Sequence, residues 1–484
     1  MLSSARNSLI AATTICAVAW LLIAGSRSSG SRAAANATDM PGLAAGTMPG
    51  ASAGLVQRSI RFNTHLDRNA PWSGDFNGND VQPFIEALLT VPHFYGIRET
   101  ISAVADKTSA EEVRYLAAHG VHFDLVTNLE LSAATMERYV TSYPKRSVTS
   151  LEGPNECNIS KDPGCFGRVG WPAWATNDRA FSLGALCDAY RNTKNSAAVD
   201  DPYDYIASSI AGRTVSTAGP VLGDLTSCVT LGNIHHYAQS AWPEGGSASN
   251  PRGESDIAKN MQWVRPISGD LPVSATETAE VRCCTVTYGV PETIGGRNAP
   301  RKILFEWLMG VKSVYTYALL EAARNESFEA VDGTTYKEWP QYKALAGLSE
   351  LLYDPHPVSG NCVVHAVVAG PGVSIMTPVA QGISVFNACK SNGEEDIFVW
   401  QAVPNYAGTT ALGGFVDVPS VDVDITLSAK PSVVNFYEQD PTTGIFSQRP
   451  SVPNLTVLPV TDRVEMIQLG GPKTIPLAIP TDMP

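Results

Sequence analysis

Eight short runs of apolar and β-branched residues, alternating with stretches of helical periodicity, constrain the fold of this chain more than any other feature. The predicted strands cover residues 59–63, 94–98, 123–126, 148–152, 214–218, 233–237, 273–277 and 313–317. Strand–helix alternation over about 250 residues is typical of an α/β fold of the (β/α)₈ type, the TIM barrel. A doubly wound sheet is the alternative, but the Gly-rich phosphate loop that usually follows its first strand does not occur in the sequence.

The pattern changes after residue 355. From residue 362 onward the sequence shows short alternating strands broken by Pro and Gly, and the last of them, 464–469, alternates regularly. This is typical of an antiparallel β-sandwich. A chain of 484 residues is too long for one ordinary domain. We therefore assign residues 54–355 to a (β/α)₈ catalytic barrel and residues 356–484 to a C-terminal β-sandwich.

The N-terminus has the features of an export signal. Arg6 precedes an apolar run over residues 9–25, and Ala35-Asn36-Ala37 resembles a cleavage site. We expect residues 1–37 to be a signal peptide, and the alternative is a retained membrane anchor. Residues 38–53 are rich in Ser, Ala and Gly, which predicts a flexible linker. Cleavage predicts a secreted protein, extracellular or periplasmic, with no stable membrane insertion.

The cysteines agree with export. Without Cys16, inside the apolar run, eight cysteines remain, and an even number in an exported chain suggests disulfides. Cys157 with Cys165, and Cys362 with Cys389, are the candidate local pairs. Free buried thiols are one alternative, and a zinc site is a weaker one because no Cys-x-x-Cys spacing occurs.

Charge and motifs exclude other classes of function. The formal net charge is -13, and Lys and Arg do not cluster, which argues against a nucleic-acid partner. No Gly-x-Ser-x-Gly elbow is present, which disfavours a serine hydrolase. The sequence does not indicate the oligomeric state.

Two carboxylates stand at the positions where barrels carry out chemistry. The fourth predicted strand leads into Glu152-Gly153-Pro154-Asn155-Glu156, and the seventh ends in Glu277. Barrel active sites lie at the C-terminal ends of strands. Cleavage of a glycosidic bond needs one protonated and one ionised carboxyl group on either side of the bond. The sequence therefore predicts Glu156 and Glu277 as the reacting pair, with Glu280 as a competitor for Glu277.

These motifs resemble clan A of the retaining glycoside hydrolases, and family thirty-nine most closely; families five, thirty and seventy-nine stay open. The resemblance implies that Glu156 is the acid/base and Glu277 the nucleophile. It also implies an Arg near the nucleophile, here Arg98, and a His-x-Tyr whose tyrosine contacts the nucleophile, here His235 and Tyr237. The chain departs from the clan where Cys157 follows the Asn-Glu pair and where the eighth strand carries Tyr315 and Tyr317 instead of a tryptophan.

Further residues are candidates for sugar binding. Asn155 is expected to bind a sugar 2-hydroxyl, and aromatic rings in loops above a barrel can stack on the apolar faces of sugars. For each of these residues the alternative is an ordinary structural role, such as an ion pair for Arg98. The substrate-binding candidates are Asn155, Arg98, His235, Tyr237, Trp171, Trp174, Trp242 and Tyr317.

The sequence thus predicts a secreted, retaining glycoside hydrolase that acts on a poly- or oligosaccharide by double displacement, with no metal or organic cofactor. The alternative is a non-catalytic carbohydrate-binding protein on a barrel scaffold. The sugar, the linkage and the choice between endo and exo action are left open.

Overall fold

A computed structural model describes most of the chain between residues 46 and 470. The described residues are 46–64, 66, 82–105, 107–127, 132–156, 183–196, 203–209, 224–238, 242–245, 256–279, 290–321, 330–332, 337–407, 414–416, 418–428, 434–450 and 456–470. All of them belong to one compact unit, Asn36–Pro484. The predicted signal peptide lies outside the described residues. Among the described helices, none has the length and apolar character that a membrane crossing requires.

The described elements are twenty-three strands and eight α-helices. The strands are β1 (Met48–Ser52), β2 (Ile60–Asn63), β3 (Gly96–Thr100), β4 (His122–Val126), β5 (Val148–Glu152), β6 (Asp204–Ile206), β7 (Gly232–Tyr237), β8 (Val273–Ala279), β9 (Val311–Thr316), β10 (Leu320–Glu321), β11 (Val331–Asp332), β12 (Cys362–Val364), β13 (Ala366–Ala369), β14 (Val373–Ile375), β15 (Gly382–Cys389), β16 (Glu395–Ala402), β17 (Tyr406–Ala407), β18 (Gly414–Phe415), β19 (Val421–Leu427), β20 (Val434–Gln439), β21 (Phe446–Arg449), β22 (Val457–Val460) and β23 (Glu465–Leu469). The helices are α1 (Ala53–Ser59), α2 (Gln82–Thr90), α3 (Lys107–Ala118), α4 (Ala133–Ser142), α5 (Leu183–Lys194), α6 (Ile257–Ser268), α7 (Glu292–Leu308) and α8 (Pro340–Leu352).

Strands β2 to β9 form the predicted (β/α)₈ barrel. They pair in parallel in the order β6-β5-β4-β3-β2-β9-β8-β7, and a parallel bridge between Ile206 and Leu231 brings β6 next to β7 and closes the ring. The strands are buried on both faces, as expected where helices cover a parallel sheet. The predicted fold class is therefore confirmed.

One predicted barrel strand is wrong. The fifth strand is Asp204–Ile206, whereas the predicted run 214–218 lies outside the described residues. Three residues are too few to produce an apolar pattern, and this strand is defined by its pairing with β5. The prediction of a strand at 214–218 rested on the β-branched residues of that run. The other seven predicted strands overlap observed ones.

The C-terminal part of the chain is a β-sandwich, as predicted. One sheet has the order β12-β1-β15-β16-β23-β20-β21, with β14 beside β15, and the other has the order β13-β19-β22. Apolar side chains of both sheets share one core, in which Val399 and Ile467 of the first sheet join Ile425 and Leu458 of the second. This arrangement is typical of two sheets packed face to face.

Part of the segment expected to be a linker belongs to this sandwich. Residues Met48–Ser52 form β1, which pairs antiparallel with β12 and parallel with β15. Its small residues, which suggested a linker, are needed for close packing, because a Cβ on Gly50 would lie 2.9 Å from Cys362 Sγ. The chain then enters the barrel directly through α1.

Two disulfides occur among the described residues. Cys362–Cys389 joins β12 to β15, as predicted, and Cys187–Cys228 joins α5 to the segment before β7. The predicted Cys157–Cys165 pair lies outside the described residues. Disulfide bonding itself is therefore confirmed, with one pairing that the sequence did not indicate.

Helix α7 connects the barrel to the sandwich. Arg301 on this helix makes a paired ion contact with Glu244 in the loop after β7, with distances of 2.9 and 2.5 Å. The indole of Trp400, on β16, also donates to Glu244, at 2.8 Å. Arg297 donates to Asp462 at 3.2 Å. The helix and the loop are thus fixed against the sandwich by buried charges.

Candidate active site

The C-terminal ends of β3, β5, β7 and β8 bring charged side chains together at one end of the barrel. Glu277, on β8, is 7% exposed and accepts hydrogen bonds from two groups. Arg98 Nη1 donates to Glu277 Oε1 at 2.9 Å, and the Tyr237 hydroxyl donates to Oε2 at 2.6 Å. The contacts that the clan resemblance implied for Arg98 and Tyr237 are both present.

The guanidinium of Arg98 organises this end of the barrel. Its Nε and Nη2 donate to the two carboxylate oxygens of Glu152, at 2.6 and 2.8 Å. Nη1 also donates to Asn63 at 2.8 Å, and Nη2 to Asn155 Oδ1 at 2.8 Å. Burial alone would lower the pKa of Arg98, but Glu152 and Glu277 raise it well above its ordinary value. Arg98 is therefore a permanent buried cation between two carboxylates.

Glu152 is completely buried, and its carboxylate accepts hydrogen bonds from the side chains around it. Besides Arg98, it accepts a hydrogen bond from Asn233 Nδ2 at 2.9 Å and one from the Thr276 hydroxyl at 3.0 Å. A buried carboxylate with these partners has no face left for a substrate. Glu152 is therefore the ion-pair partner of Arg98 and not a candidate for contact with substrate.

Glu156 lies four residues beyond the end of β5, on a constrained piece of backbone. Its φ is 43°, in the left-handed region that non-glycine residues seldom adopt, which costs about 1–3 kcal/mol. Its backbone N–H donates to Ser209 Oγ at 3.1 Å, and Ser209 Oγ donates to Asn155 Oδ1 at 2.8 Å. Strain of this kind is concentrated at functional sites. The constraint directs the Glu156 carboxylate toward β7.

His235 lies between the two candidate carboxylates. Its Nδ1 is 2.5 Å from Glu156 Oε1 and 3.3 Å from Glu277 Oε2, and its Nε2 is 3.3 Å from the Thr276 hydroxyl. Burial acts to lower the pKa of His235, but Glu277 and Glu156 raise it above its ordinary value. His235 is therefore placed to hold a proton between the two carboxylates.

The environment of Glu277 favours its ionised form. Burial would raise the pKa of Glu277, but His235, Arg98 and the Tyr237 hydroxyl together lower it below its ordinary value. Burial and the neighbouring Glu277 raise the pKa of Tyr237 well above its ordinary value, so its hydroxyl stays protonated and donates. Glu277 is therefore held as an anion in a buried site.

The nearest ligand atoms of Glu156, His235 and Glu277 all lie within 4.8 Å of one another. These three side chains are the candidate metal ligands at this end of the barrel. However, both oxygens of Glu277 already accept hydrogen bonds, and the Arg98 cation lies 2.9 Å from one of them. A positive neighbour opposes binding of a second cation. The donor set therefore fits proton transfer better than metal binding.

Two further aromatic candidates lie in described parts of the chain. Tyr317 directly follows β9, and its phenol is near enough to Tyr237 to interact electrostatically. Trp242, in the loop after β7, is half-buried, and its indole N–H donates to the carbonyl of Ala380 in the sandwich, at 3.2 Å. Trp171, Trp174 and the competitor Glu280 lie outside the described residues.

Several polar residues of the network were not predicted. Asn63 ends β2 and Asn233 lies on β7, and both contact the ionic network directly. The Thr276 hydroxyl lies within hydrogen-bond distance of both Glu152 Oε1, at 3.0 Å, and Asn233 Oδ1, at 2.7 Å, and Ser209 Oγ donates to Asn155. The available signal was a polar residue at an inward position of an otherwise apolar strand.

Comparisons with known proteins bear on the fold. No protein-family model and no curated protein sequence matches this chain. The GH51 arabinofuranosidase from Xanthomonas axonopodis pv. citri superposes with a TM-score of 0.50 at 12% identity, over 87% of this chain and 97% of that one. SrfJ from Salmonella typhimurium superposes with a TM-score of 0.46 at 8% identity, over 85% of this chain and 89% of SrfJ. GH5_18 from Bifidobacterium longum subsp. longum superposes with a TM-score of 0.43 at 12% identity, over 65% of this chain and 81% of that one.

The comparisons show a shared fold alone: the GH51 arabinofuranosidase, at 12% identity, also has the (β/α)₈ barrel. They do not show a particular family for this chain. Membership of family thirty-nine stays a prediction.

Proposed function

We propose that this protein is a retaining glycoside hydrolase, and that Glu277 is its nucleophile and Glu156 its acid/base. The observation that carries the proposal is the pair of carboxylates within 4.8 Å of each other at the C-terminal ends of barrel strands. Retaining enzymes keep their two carboxyl groups about 5–5.5 Å apart, whereas inverting enzymes leave room for a water between them. The short separation supports retention.

In the first step, Glu277 attacks the anomeric carbon while the leaving oxygen receives a proton from Glu156. The bond from carbon to the leaving oxygen breaks as the bond to Glu277 Oε forms, and a covalent glycosyl-enzyme results. The 2.5 Å contact with His235 keeps a proton within reach of Glu156. Arg98 and Tyr237 hold Glu277 ionised and aimed before the reaction, so little reorganisation is needed.

In the second step, Glu156 takes a proton from water, and the resulting hydroxide attacks the anomeric carbon from the side of the departed group. Glu277 leaves as a carboxylate, and its contacts with Arg98 and Tyr237 stabilise the returning charge. Two inversions give overall retention.

We propose that Asn155 contributes to sugar binding. Its Oδ1 accepts from both Arg98 and Ser209, which fixes the amide with its NH₂ group on the side away from Arg98. That orientation suits donation to a sugar 2-hydroxyl. Tyr317, which lies near Tyr237, is a proposed stacking residue, as are Trp242, Trp171 and Trp174, and the proposed substrate is a poly- or oligosaccharide. Export is proposed on the basis of the N-terminal segment and the two disulfides.

The test uses aryl glycosides together with Glu277→Gln and Glu156→Gln. Both variants should lose most turnover of a natural glycan. A 2-deoxy-2-fluoro glycoside should label Glu277 in the wild type, as identified by peptide mass spectrometry. The Glu156→Gln enzyme should still be labelled by a substrate whose leaving group needs no proton, because only protonation is impaired.

Full turnover by either variant, or labelling of another residue, would refute the assignment. Saturable glycan binding without any turnover by the wild type would instead support the carbohydrate-binding alternative.

A further inference from the structure

A polar cluster lies buried behind the barrel wall, on the outer side of β7 and β8. His236, Thr278, Lys302 and Glu306 are each at most 3% exposed. His236 Nδ1 lies 2.6 Å from Glu306 Oε1. Lys302 Nζ donates to the carbonyl oxygens of His236 and Ala279, at 2.8 and 3.0 Å. The proposed chemistry uses none of these groups.

The cluster holds peptide units that adjoin the site. His236 stands between His235 and Tyr237 in the sequence, and Thr278 directly follows Glu277. Side chains alternate along a strand, so the inward neighbours of an outward residue face the barrel interior. Moving the His236 or Thr278 peptide therefore moves the groups that contact the reacting carboxylates.

Hydrogen bonds join the cluster into one unit that spans both strands and α7. The Thr278 hydroxyl donates to the carbonyl of His236 at 2.6 Å and lies 3.3 Å from Glu306 Oε1. Both charged residues, Lys302 and Glu306, come from α7. Helix α7 is itself fixed to the sandwich through Arg301. Through α7, the cluster is therefore held in a fixed position relative to the sandwich.

The strand ladder is irregular at the residues that the cluster holds. Between β7 and β8, Ile234 pairs with Ala275 but His235 pairs with Glu277, which leaves Thr276 as an extra residue. Two further shifts occur on the other side of β8, where it pairs with β9. A bulge of this kind bends the strand and re-aims its side chains. The bulge therefore sets the direction of the Glu277 side chain, and the cluster packs directly behind the bulged residues.

We propose that Lys302 and Glu306 are positioning residues, which set the places of Glu277 and His235 from behind the barrel wall. Burying an ammonium and a carboxylate is costly, and apolar side chains would fill the same space at lower cost. The positioning role accounts for charges at these two positions. The expected kinetic effect rests on the proposed glycosidase function, whereas the geometric effect does not.

The test compares Lys302→Met and Glu306→Gln with a matched control. Lys390 and Glu394 in the sandwich are also four residues apart, are at most 4% exposed in their side chains and form a 2.8 Å ion pair. Glu394→Gln should lower the melting temperature and leave kcat unchanged. Lys302→Met should lower kcat on an aryl glycoside by about 10- to 100-fold, with KM little changed, because small misplacement of reacting groups is costly. Glu306→Gln keeps an oxygen that can accept from His236 Nδ1, so this variant should lose less kcat than Lys302→Met.

A second readout does not need turnover. The imidazole of His235, assigned by comparison with His235→Gln, is titrated by NMR in each variant. We expect the titration to move to lower pH in Lys302→Met, because the carboxylates that raise the pKa of His235 move away, and to stay unchanged in Glu394→Gln.

The outcomes separate the two proposals. A wild type without glycosidase activity would refute the proposed function, and the His235 titration would still decide the positioning role. Wild-type titration of His235 in Lys302→Met, wild-type kcat in that variant of an active enzyme, or an equal loss of kcat in Glu394→Gln would overturn the positioning role.

Discussion

Replacing Arg98 with Met should test the buried network most directly. The change keeps a long apolar side chain and removes the cation that contacts Glu152 twice and Glu277 once. Glu152 is 0% exposed and keeps only the donors Asn233 and Thr276. Removing one partner of a buried ion pair costs about 3–5 kcal/mol, since the other charge is left uncompensated. We expect the free energy of unfolding to fall by about that amount.

The deficit should depend on pH with a definite sign. Without Arg98, the variant relieves the uncompensated charge by protonating a carboxyl group, so the folded-state pKa of that group rises above its unfolded value. A raised carboxyl pKa means that the folded state binds more protons, and stability then falls as pH rises. Each pH unit between the two pKa values is worth about 1.4 kcal/mol. The variant should therefore be closer to the wild type at pH 5 than at pH 8.

Catalysis should fail for a related reason. Arg98 helps to hold the pKa of Glu277 below its ordinary value, so its loss makes the nucleophile harder to ionise. The acid limb of kcat/KM should move to higher pH, and kcat should fall by about 10²–10³, as for removal of other preorganised donors. Arg98→Lys keeps the charge but loses the bidentate contact with Glu152. Its acid limb and its kcat should therefore lie between those of the wild type and those of Arg98→Met.

The assay combines chemical denaturation at pH 5 and pH 8 with pH profiles of kcat/KM for both variants. The reasoning would be refuted by an Arg98→Met protein whose unfolding free energy equals that of the wild type. A deficit that shrinks as pH rises would refute it as well, because it contradicts the linkage sign.

Two further predictions use single contacts. Tyr237→Phe removes a 2.6 Å hydrogen bond to an ionised carboxylate, worth about 1.5–3 kcal/mol, so kcat/KM should fall roughly 10- to 150-fold. An unchanged acid limb in the pH profile of this variant would contradict the reasoning. In the sandwich, burial raises the pKa of Asp396 to about 7 and that of Glu465 to about 8, so the folded state binds more protons and stability should fall between about pH 4 and pH 8. Melting temperatures at pH 5 and pH 8 test this prediction. Asp396→Asn should make the melting temperature less dependent on pH. A melting temperature that is higher at pH 8 than at pH 5 would refute the prediction.

The sequence predicts the barrel because its long strands carry their own signal. β5 and β8 are buried runs with regular boundaries, and the structure places them as predicted. β6 has only three residues and owes its place to pairing with β5. β1 has a linker-like composition and becomes a strand only because β12 and β15 lie on either side of it. Both misses are elements ordered by tertiary contacts.

The sequence indicated the two residues that are proposed to react, but it did not indicate most of the residues that support them. Glu156 and Glu277 stand at strand ends, where chemistry is expected, and the sequence alone points to them. Thr276 contacts Glu152 only because a bulge turns the strand at that residue, and no sequence pattern marks that bulge. Supporting residues depend on exact register, which single-sequence patterns do not specify.

The charges at the site bear on which carboxyl group acts as the acid. Three carboxylates, those of Glu152, Glu277 and Glu156, are in direct contact with one guanidinium and one imidazole, those of Arg98 and His235. Two cations cannot balance three anions, and a net charge in a buried site is costly, so a neutral site needs one carboxyl group to hold a proton. Arg98 contacts the first two carboxylates and not Glu156, and the Glu156 side chain is the most exposed of the three, so a proton on Glu156 leaves both arginine contacts intact. The same arrangement therefore keeps Glu277 ionised for attack and leaves the proton where a leaving oxygen needs it, which supports the proposed division of roles.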